Sequence, residues 1–206
     1  MPRFPFYSRA GSAPGGARSK ALVEDENGSY LAKFASTRDQ LDVVNLEAAS
    51  MELARRAGIE TAGTRLLSWG TTRKCLLVKR FDINKAGGRN HLVSMQSLLR
   101  ADGYYNAGYR DLAEIIKHVS SQPGRDLYRL YRQMVFNVMI GNTDDHLKNF
   151  LMLHDDTGWR LSPAIDLLHP SKTDENKSQV YEVNYLRWLF CFQGNDKFVD
   201  FLTLSG

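Results

Sequence analysis

Gly141-Asn142-Thr143-Asp144-Asp145-His146-Leu147-Lys148-Asn149, followed by Ser162-Pro163-Ala164-Ile165-Asp166, is the stretch that decides how this chain folds. A carboxylate, Asp144, stands five residues before an amide, Asn149. Between Asn149 and Asp166 the pattern reads as a hairpin, Phe150–His154 and Trp159–Pro163, around Asp155-Asp156-Thr157-Gly158. With its turn centred between Asp156 and Thr157, Asn149 lies opposite Ala164. Paired strands sit about 4.8 Å apart, so Asp166, two residues further on, comes close to Asn149. Two oxygen ligands from distant positions then converge, which suits a hard cation such as Mg2+. Asp144 is placed to accept or orient the proton of an attacking hydroxyl. This spacing is that of phosphoryl transfer from a nucleotide. The bland alternative is an Asp/Asn-rich surface turn. The helix before the motif and the hairpin after it weigh against that.

Upstream, Leu127, Leu130, Tyr131, Met134, Val135, Val138 and Met139 form a long apolar stripe on one helix, which Gly141 ends. Leu112, Ile115, Ile116 and Val119 mark another helix before it. The half that contains the motif therefore reads as mostly helical.

The first half reads differently. Ala21–Asp25 and Ser29–Phe34 form a hairpin around Asn27-Gly28. Asp42–Ala57 is a helix stopped by Gly58, where a left-handed cap is wanted. Thr64–Trp69 and Lys74–Val78 make a second strand pair. The hairpin register sets Lys33 opposite Leu22, so Lys20 and Lys33 share a face. Two like charges there call for an anion or a carboxylate between them. Glu47 supplies a candidate, because it falls on the apolar stripe Val43, Glu47, Met51, Ala54 of the following helix. A buried carboxylate needs a partner, and a Lys33–Glu47 pair would hold a lysine on nucleotide phosphates. The alternative is a solvated Glu47 at the stripe's edge and a snorkelling Lys33.

Two further segments carry weaker signals. Gly11–Lys20 (GSAPGGARSK) is glycine-rich and could present backbone N–H groups to anionic oxygens, or serve as a linker. It is neither a Walker A loop nor GxGxxG. Ser12 within it is a candidate phosphate acceptor, and phosphorylation would add about −1.5 to −2 charge where nucleotide phosphates belong. Lys79-Arg80-Phe81-Asp82 joins the two halves, either as a hinge offering backbone groups and the Phe81 face to an adenine or as a charged strand end. His146 has no second histidine at ligand spacing, which favours a structural or phosphate-contacting role over metal binding.

Composition bounds the rest. A chain of 206 residues with net charge +4 has room for a sizeable core and lacks the clustered positive charge of a nucleic-acid binder. Its two cysteines, Cys75 and Cys191, exclude a disulfide framework and fit a reducing cytosol. No apolar run is long enough for a signal peptide or a membrane span. The organisation expected is a tail over residues 1–10, a β-rich lobe with one helix over 11–82, and a helical lobe carrying the motif and its hairpin over 83–206.

GSAPGGARSK, LAKF, LEAASMELARRAGI, VKRFD, GNTDDHLKN and SPAID together resemble the kinase core of HipA-type toxins, from about Gly11 to Pro170. The resemblance implies an α+β, two-lobed, protein-kinase-like fold with a β-rich N-lobe and a mostly helical C-lobe. It implies a bacterial, cytoplasmic serine/threonine kinase of a toxin–antitoxin module that uses ATP and Mg2+. A HipB-like helix-turn-helix antitoxin would be its partner, with DNA reached only through that antitoxin and no membrane involved. The acceptor would be a protein, with aminoacyl-tRNA synthetases as the family's known class, and growth arrest the result. By motif, Asp144 resembles the catalytic base, and Asn149 and Asp166 the metal ligands. Lys33 resembles the phosphate lysine, Val78 to Phe81 the adenine hinge, and Ser12 the autophosphorylated serine. Lys79 stands where many members carry Glu. Lys20, Glu47 and His146 complete the expected nucleotide site. The family's small N-terminal subdomain has no counterpart here, and the resemblance fades after Pro170, where Tyr185 to Phe192 form an apolar run. A shortened, non-catalytic module that binds an antitoxin or partner subunit is the competing reading, and a small-molecule kinase a third.

Overall fold

The computed structural model describes residues 7–8, 19–36, 39, 41–69, 73–84, 86–100, 108–142 and 145–167. These fall into two compact units. Of the described residues, the first comprises those up to Leu92 together with residues 163–167, and the second those from Val93 to Ser162.

The first unit is a five-stranded antiparallel sheet with one helix. Its strands are β1 (Tyr7–Ser8), β2 (Lys20–Asp25), β3 (Gly28–Phe34), β4 (Thr64–Trp69) and β5 (Arg73–Lys79), in spatial order β1-β2-β3-β5-β4. Alternation gives the sheet two distinct faces. Tyr30, Ala32, Cys75 and Leu77 form a buried cluster on one, flanked by Val23, Phe34, Leu67 and Trp69. Leu76 and Val78, of the opposite parity on β5, are also buried. Helix α1 (Val43–Arg56) packs against β4 and β5. Asp42 caps its start, accepting from the Asn45 N–H at 3.2 Å. Its end is a Schellman turn: Gly58 at φ 76° donates to Arg55 O, and Ile59 donates to Ala54 O, each at 3.0 Å.

One register differs from the sequence expectation. Lys33 pairs with Lys20 directly, and Leu22 pairs with Leu31. The turn is centred on Glu26-Asn27, one residue earlier than Asn27-Gly28. Asp25 Oδ1 accepts the Asn27 N–H at 2.8 Å and fixes the early turn, while Gly28 at φ 133° opens the return strand. The pairing shifts by two residues, so each side chain keeps its face and the two lysines still share one.

The second unit is built from α2 (Met95–Leu98), α3 (Tyr109–Val119) and α4 (Pro123–Met139) around the hairpin β7 (Leu151–Asp155) and β8 (Gly158–Leu161). Strand β6 (His91–Ser94) completes a sheet of order β6-β7-β8. Met95, Leu112, Ile116, Leu130, Phe150 and Met152 are the heart of its core. The buried side of α4 is Leu127, Leu130, Gln133, Met134, Phe136 and Asn137, and Val138 and Met139 are exposed. The apolar stripe read from sequence therefore leaves the core at its C-terminal end. The hairpin turns at Asp156-Thr157 as expected. Its register runs to Met152–Leu161, Ser162 N donates once more to Leu151 O at 2.9 Å, and Ala164 then pairs in parallel with Thr61 instead of continuing opposite Asn149.

Candidate active site

In the first unit, Lys33 on β3 and Glu47 on α1 are both buried, and their side chains meet at 2.5 Å. Asp166 joins them, accepting a second hydrogen bond from the Lys33 ammonium. The sequence pattern that set a carboxylate on an apolar helix stripe thus resolves into a buried ion pair. Asp166 reaches it because its segment is pinned: Ala164 N donates to Glu60 O at 2.8 Å, and Ala62 N to Ala164 O at 3.0 Å. Leu167 is buried beside it. Asp166 itself has φ 53°, a left-handed backbone that aspartate tolerates better than most residues but that still costs free energy.

The three charges are unequal. Burial alone would discharge Lys33, but Glu47 and Asp166 outweigh it and hold the ammonium above its usual value. Burial also opposes ionisation of Asp166, yet Lys33, and more weakly Lys20, keep its carboxyl below the usual range. Glu47 moves up, because burial and the neighbouring Asp166 together exceed the pull of Lys33. Of the two carboxyls, Asp166 is therefore the one held ionised, and Glu47 the one that burial moves toward its neutral form.

Lys79, Arg80 and Phe81 follow on the same unit. The Lys79 N–H donates to Gly63 O at 2.7 Å and the Arg80 N–H to Ser29 O at 2.9 Å. The Lys79 side chain is exposed and Phe81 half-buried. Arg80 and Asp82 pair with each other side by side.

The second unit carries the GNTDDHLKN loop. Helix α4 ends in another Schellman turn, with Gly141 at φ 63° donating to Val138 O at 3.1 Å and Asn142 N to Asn137 O at 2.8 Å. Asn142 Nδ2 donates to Asn137 Oδ1 at 3.1 Å, Asn137 Nδ2 to the Tyr109 hydroxyl at 3.2 Å, and that hydroxyl donates to Asp145. Asn149 is buried at the end of a 3-10 turn, Leu147–Asn149, and His146 is exposed before it. Asp144, read as the base, and Ser12, read as a phosphate acceptor, lie outside the described residues, as does the glycine-rich segment before Ser19.

Sequence reasoning missed several positions. Asp126, almost wholly buried, accepts from Ser120 Oγ at 2.7 Å, from Leu161 N at 2.7 Å and from Arg129 at 3.1 Å. Arg129 also donates to the carbonyls of Leu161 at 2.6 Å and Ser162 at 3.1 Å. The pair fixes the end of β8, from which the chain runs on to Asp166. Asn137 was missed as well, although it lies on the stripe of Leu130 and Met134.

A β-rich unit with one helix, a buried lysine–glutamate pair on it, and a helical unit with a Gly-Asn-x-Asp-x-His loop define the kinase-like class. Solved structures agree on the fold. HipA of Shewanella oneidensis MR-1, determined with HipB and its operator DNA, matches with TM-score 0.62 and 20% identity, over 78% of this chain and 45% of that one. The proinflammatory kinase CtkA of Helicobacter pylori matches with TM-score 0.66 and 18% identity, over 88% of this chain and 66% of that one. Residues 12–191 match the HipA-like C-terminal domain family, and the chain belongs to it. The match runs beyond Pro170, further than the motifs alone suggested. Among curated proteins, "Putative kinase Y4mE" of Sinorhizobium fredii is 32% identical over 67% of this chain and 34% of its own length. "Putative kinase Y4dM" of the same organism is 29% identical over 71% of this chain and 38% of its own length. The chain thus spans little more than a third of the curated relatives it matches.

Proposed function

We propose that this chain is the core of an ATP- and Mg2+-dependent serine/threonine protein kinase acting as the toxin of a HipA/HipB-like system. The observation that carries the reading is the buried Lys33–Glu47 pair, joined by the half-buried Asp166, on the β-rich unit of a HipA-like chain. The donor set fits a nucleotide and a hard cation: an ammonium for phosphate oxygens, and the oxygens of Asp166 and Asn149 for Mg2+. The metal would supply neutralisation of charge on the transferring phosphoryl group.

The chain's own residues do the rest. Glu47 keeps the Lys33 ammonium extended toward the phosphates, with Lys20 adding positive charge on the same face. The Phe81 N–H and ring, next to Lys79, receive the adenine, and His146 contacts a phosphate. Asp144 accepts the proton of the acceptor hydroxyl as that oxygen attacks. Ser12 is the acceptor in cis, and a cytoplasmic protein of the aminoacyl-tRNA synthetase class the acceptor in trans. A HipB-like protein is the partner, by likeness to the Shewanella complex, and DNA is reached through it.

Intact-mass spectrometry of the purified chain with and without Mg-ATP tests this. The expected result is one added phosphate, and a loss of about 100-fold or more in the rate with Asp144→Asn. Unchanged autophosphorylation in that variant would remove Asp144 from its role. A chain that captures the neighbouring operon product but never gains phosphate would instead be a non-catalytic binding module.

A further inference from the structure

The Tyr109 hydroxyl sits in a chain of three hydrogen bonds that all run in one sense. Asn142 donates to Asn137, Asn137 to Tyr109, and Tyr109 to Asp145. The Asn137 amide uses both its ends, and the tyrosine hydroxyl both donates and accepts. Bonds aligned in this way polarise and strengthen one another. The ends of the chain, Asn142 and Asp145, are the residues on either side of Thr143-Asp144 in sequence. The Tyr109 ring also meets Phe150 edge-on, with centroids 5.6 Å apart, and Phe150 directly follows Asn149.

We propose that Tyr109 is a positioning residue for phosphoryl transfer, whose hydroxyl ties together the two residues flanking Thr143-Asp144. The proposal rests on the reading of Asp144 as the base. Packing does not require the hydroxyl, because phenylalanine at this position keeps the ring and its contact with Phe150. Its described partners are Asp145 and Asn137, one on the loop and one on the helix that feeds it. Burial first, and Asp145 second, push the Tyr109 hydroxyl well above its usual value, so it remains a neutral donor across the working pH range. Misplacing a catalytic group by about 1 Å can cost 10²-fold in rate, which sets the scale of what such a tie protects.

The test compares Tyr109→Phe, Asp145→Ala, Asp145→Asn and the double variant Tyr109→Phe/Asp145→Ala with the wild-type chain. Single-turnover autophosphorylation gives the rate, and calorimetric titration with Mg-ATP gives the affinity. Tyr109→Phe should slow transfer by about 10- to 100-fold with Mg-ATP affinity within about twofold of wild type. Asp145→Ala should match it, the double variant should lose no more than either alone, and Asp145→Asn, which keeps an acceptor oxygen, should recover most of the rate. A wild-type rate in Tyr109→Phe, additive losses in the double variant, or affinity falling in step with rate would overturn the proposal. A wild-type chain that binds Mg-ATP but transfers nothing would overturn the kinase reading itself, and this role with it. The Asp145 pair leaves the buried ring intact, so the comparison stands even if Tyr109→Phe folds poorly.

Discussion

The β-rich unit and the helical unit each bury a polar cluster, and they build it from opposite chemistry. The first uses one ammonium between two carboxylates. The second uses a hydroxyl and two amides with a single carboxylate at the end. An ionic cluster can be re-paired by an incoming anion or cation, so it suits a place where ligands arrive. A network made mostly of amides and a hydroxyl is harder to re-pair and serves to hold one geometry.

Lys33→Met puts this contrast under the greatest load. It strips the shared partner from the buried Glu47 and the half-buried Asp166, and the loss of the buried pair should cost about 3–5 kcal/mol in urea unfolding. A loss below about 1 kcal/mol would mean that water already screens the trio, and the contrast would collapse. Asp126→Ala probes the second unit, where one carboxylate anchors Ser120, Leu161 and Arg129. The expected loss is about 2–3 kcal/mol, the cost of leaving buried donors unmade, and smaller for Asp126→Asn. The smallest effect belongs to Asp42, at the exposed start of α1. Asp42→Ala should cost about 1 kcal/mol at pH 7. The Asp42 carboxyl is held below its ordinary 3.8, first by the hydrogen bond from Lys74. Its contribution is therefore full above that value and fades as the pH falls through the lowered folded-state value. Thermal melts of the variant and wild type should converge in acid; a gap that persists there would assign the effect to packing.

Much of this was legible in the sequence because glycine and charge leave marks that few other residues leave. Gly58 announced a left-handed helix end and Gly141 a helix end, and both helices end there in Schellman turns. Glu47 betrayed its burial by interrupting an apolar stripe. The hairpin before it was found but set one residue late, because the turn obeys the Asp25 side chain and not the Asn27-Gly28 pair. Asn137 interrupts an apolar stripe as Glu47 does, yet an amide demands no counter-charge and names no partner. Its neighbour in space, Tyr109, lies 28 positions away, on a helix whose polar residues otherwise read as surface. The pinning of Ala164 against Glu60 and Ala62 was equally hidden, since backbone bonds leave no trace in side-chain pattern.

That pinning has a consequence for the order in which the molecule is made. Lys33 and Glu47 are 14 positions apart and can meet as soon as β3 and α1 have formed. Asp166 is 133 positions beyond Lys33, and the ribosome must make helices α2 to α4 and the β7–β8 hairpin before it appears. Closing so long a loop is slow compared with local pairing. On a growing chain the β-rich unit therefore holds its lysine and glutamate but lacks its aspartate. If the proposed phosphoryl transfer needs all three groups, it would begin only after translation has passed residue 166.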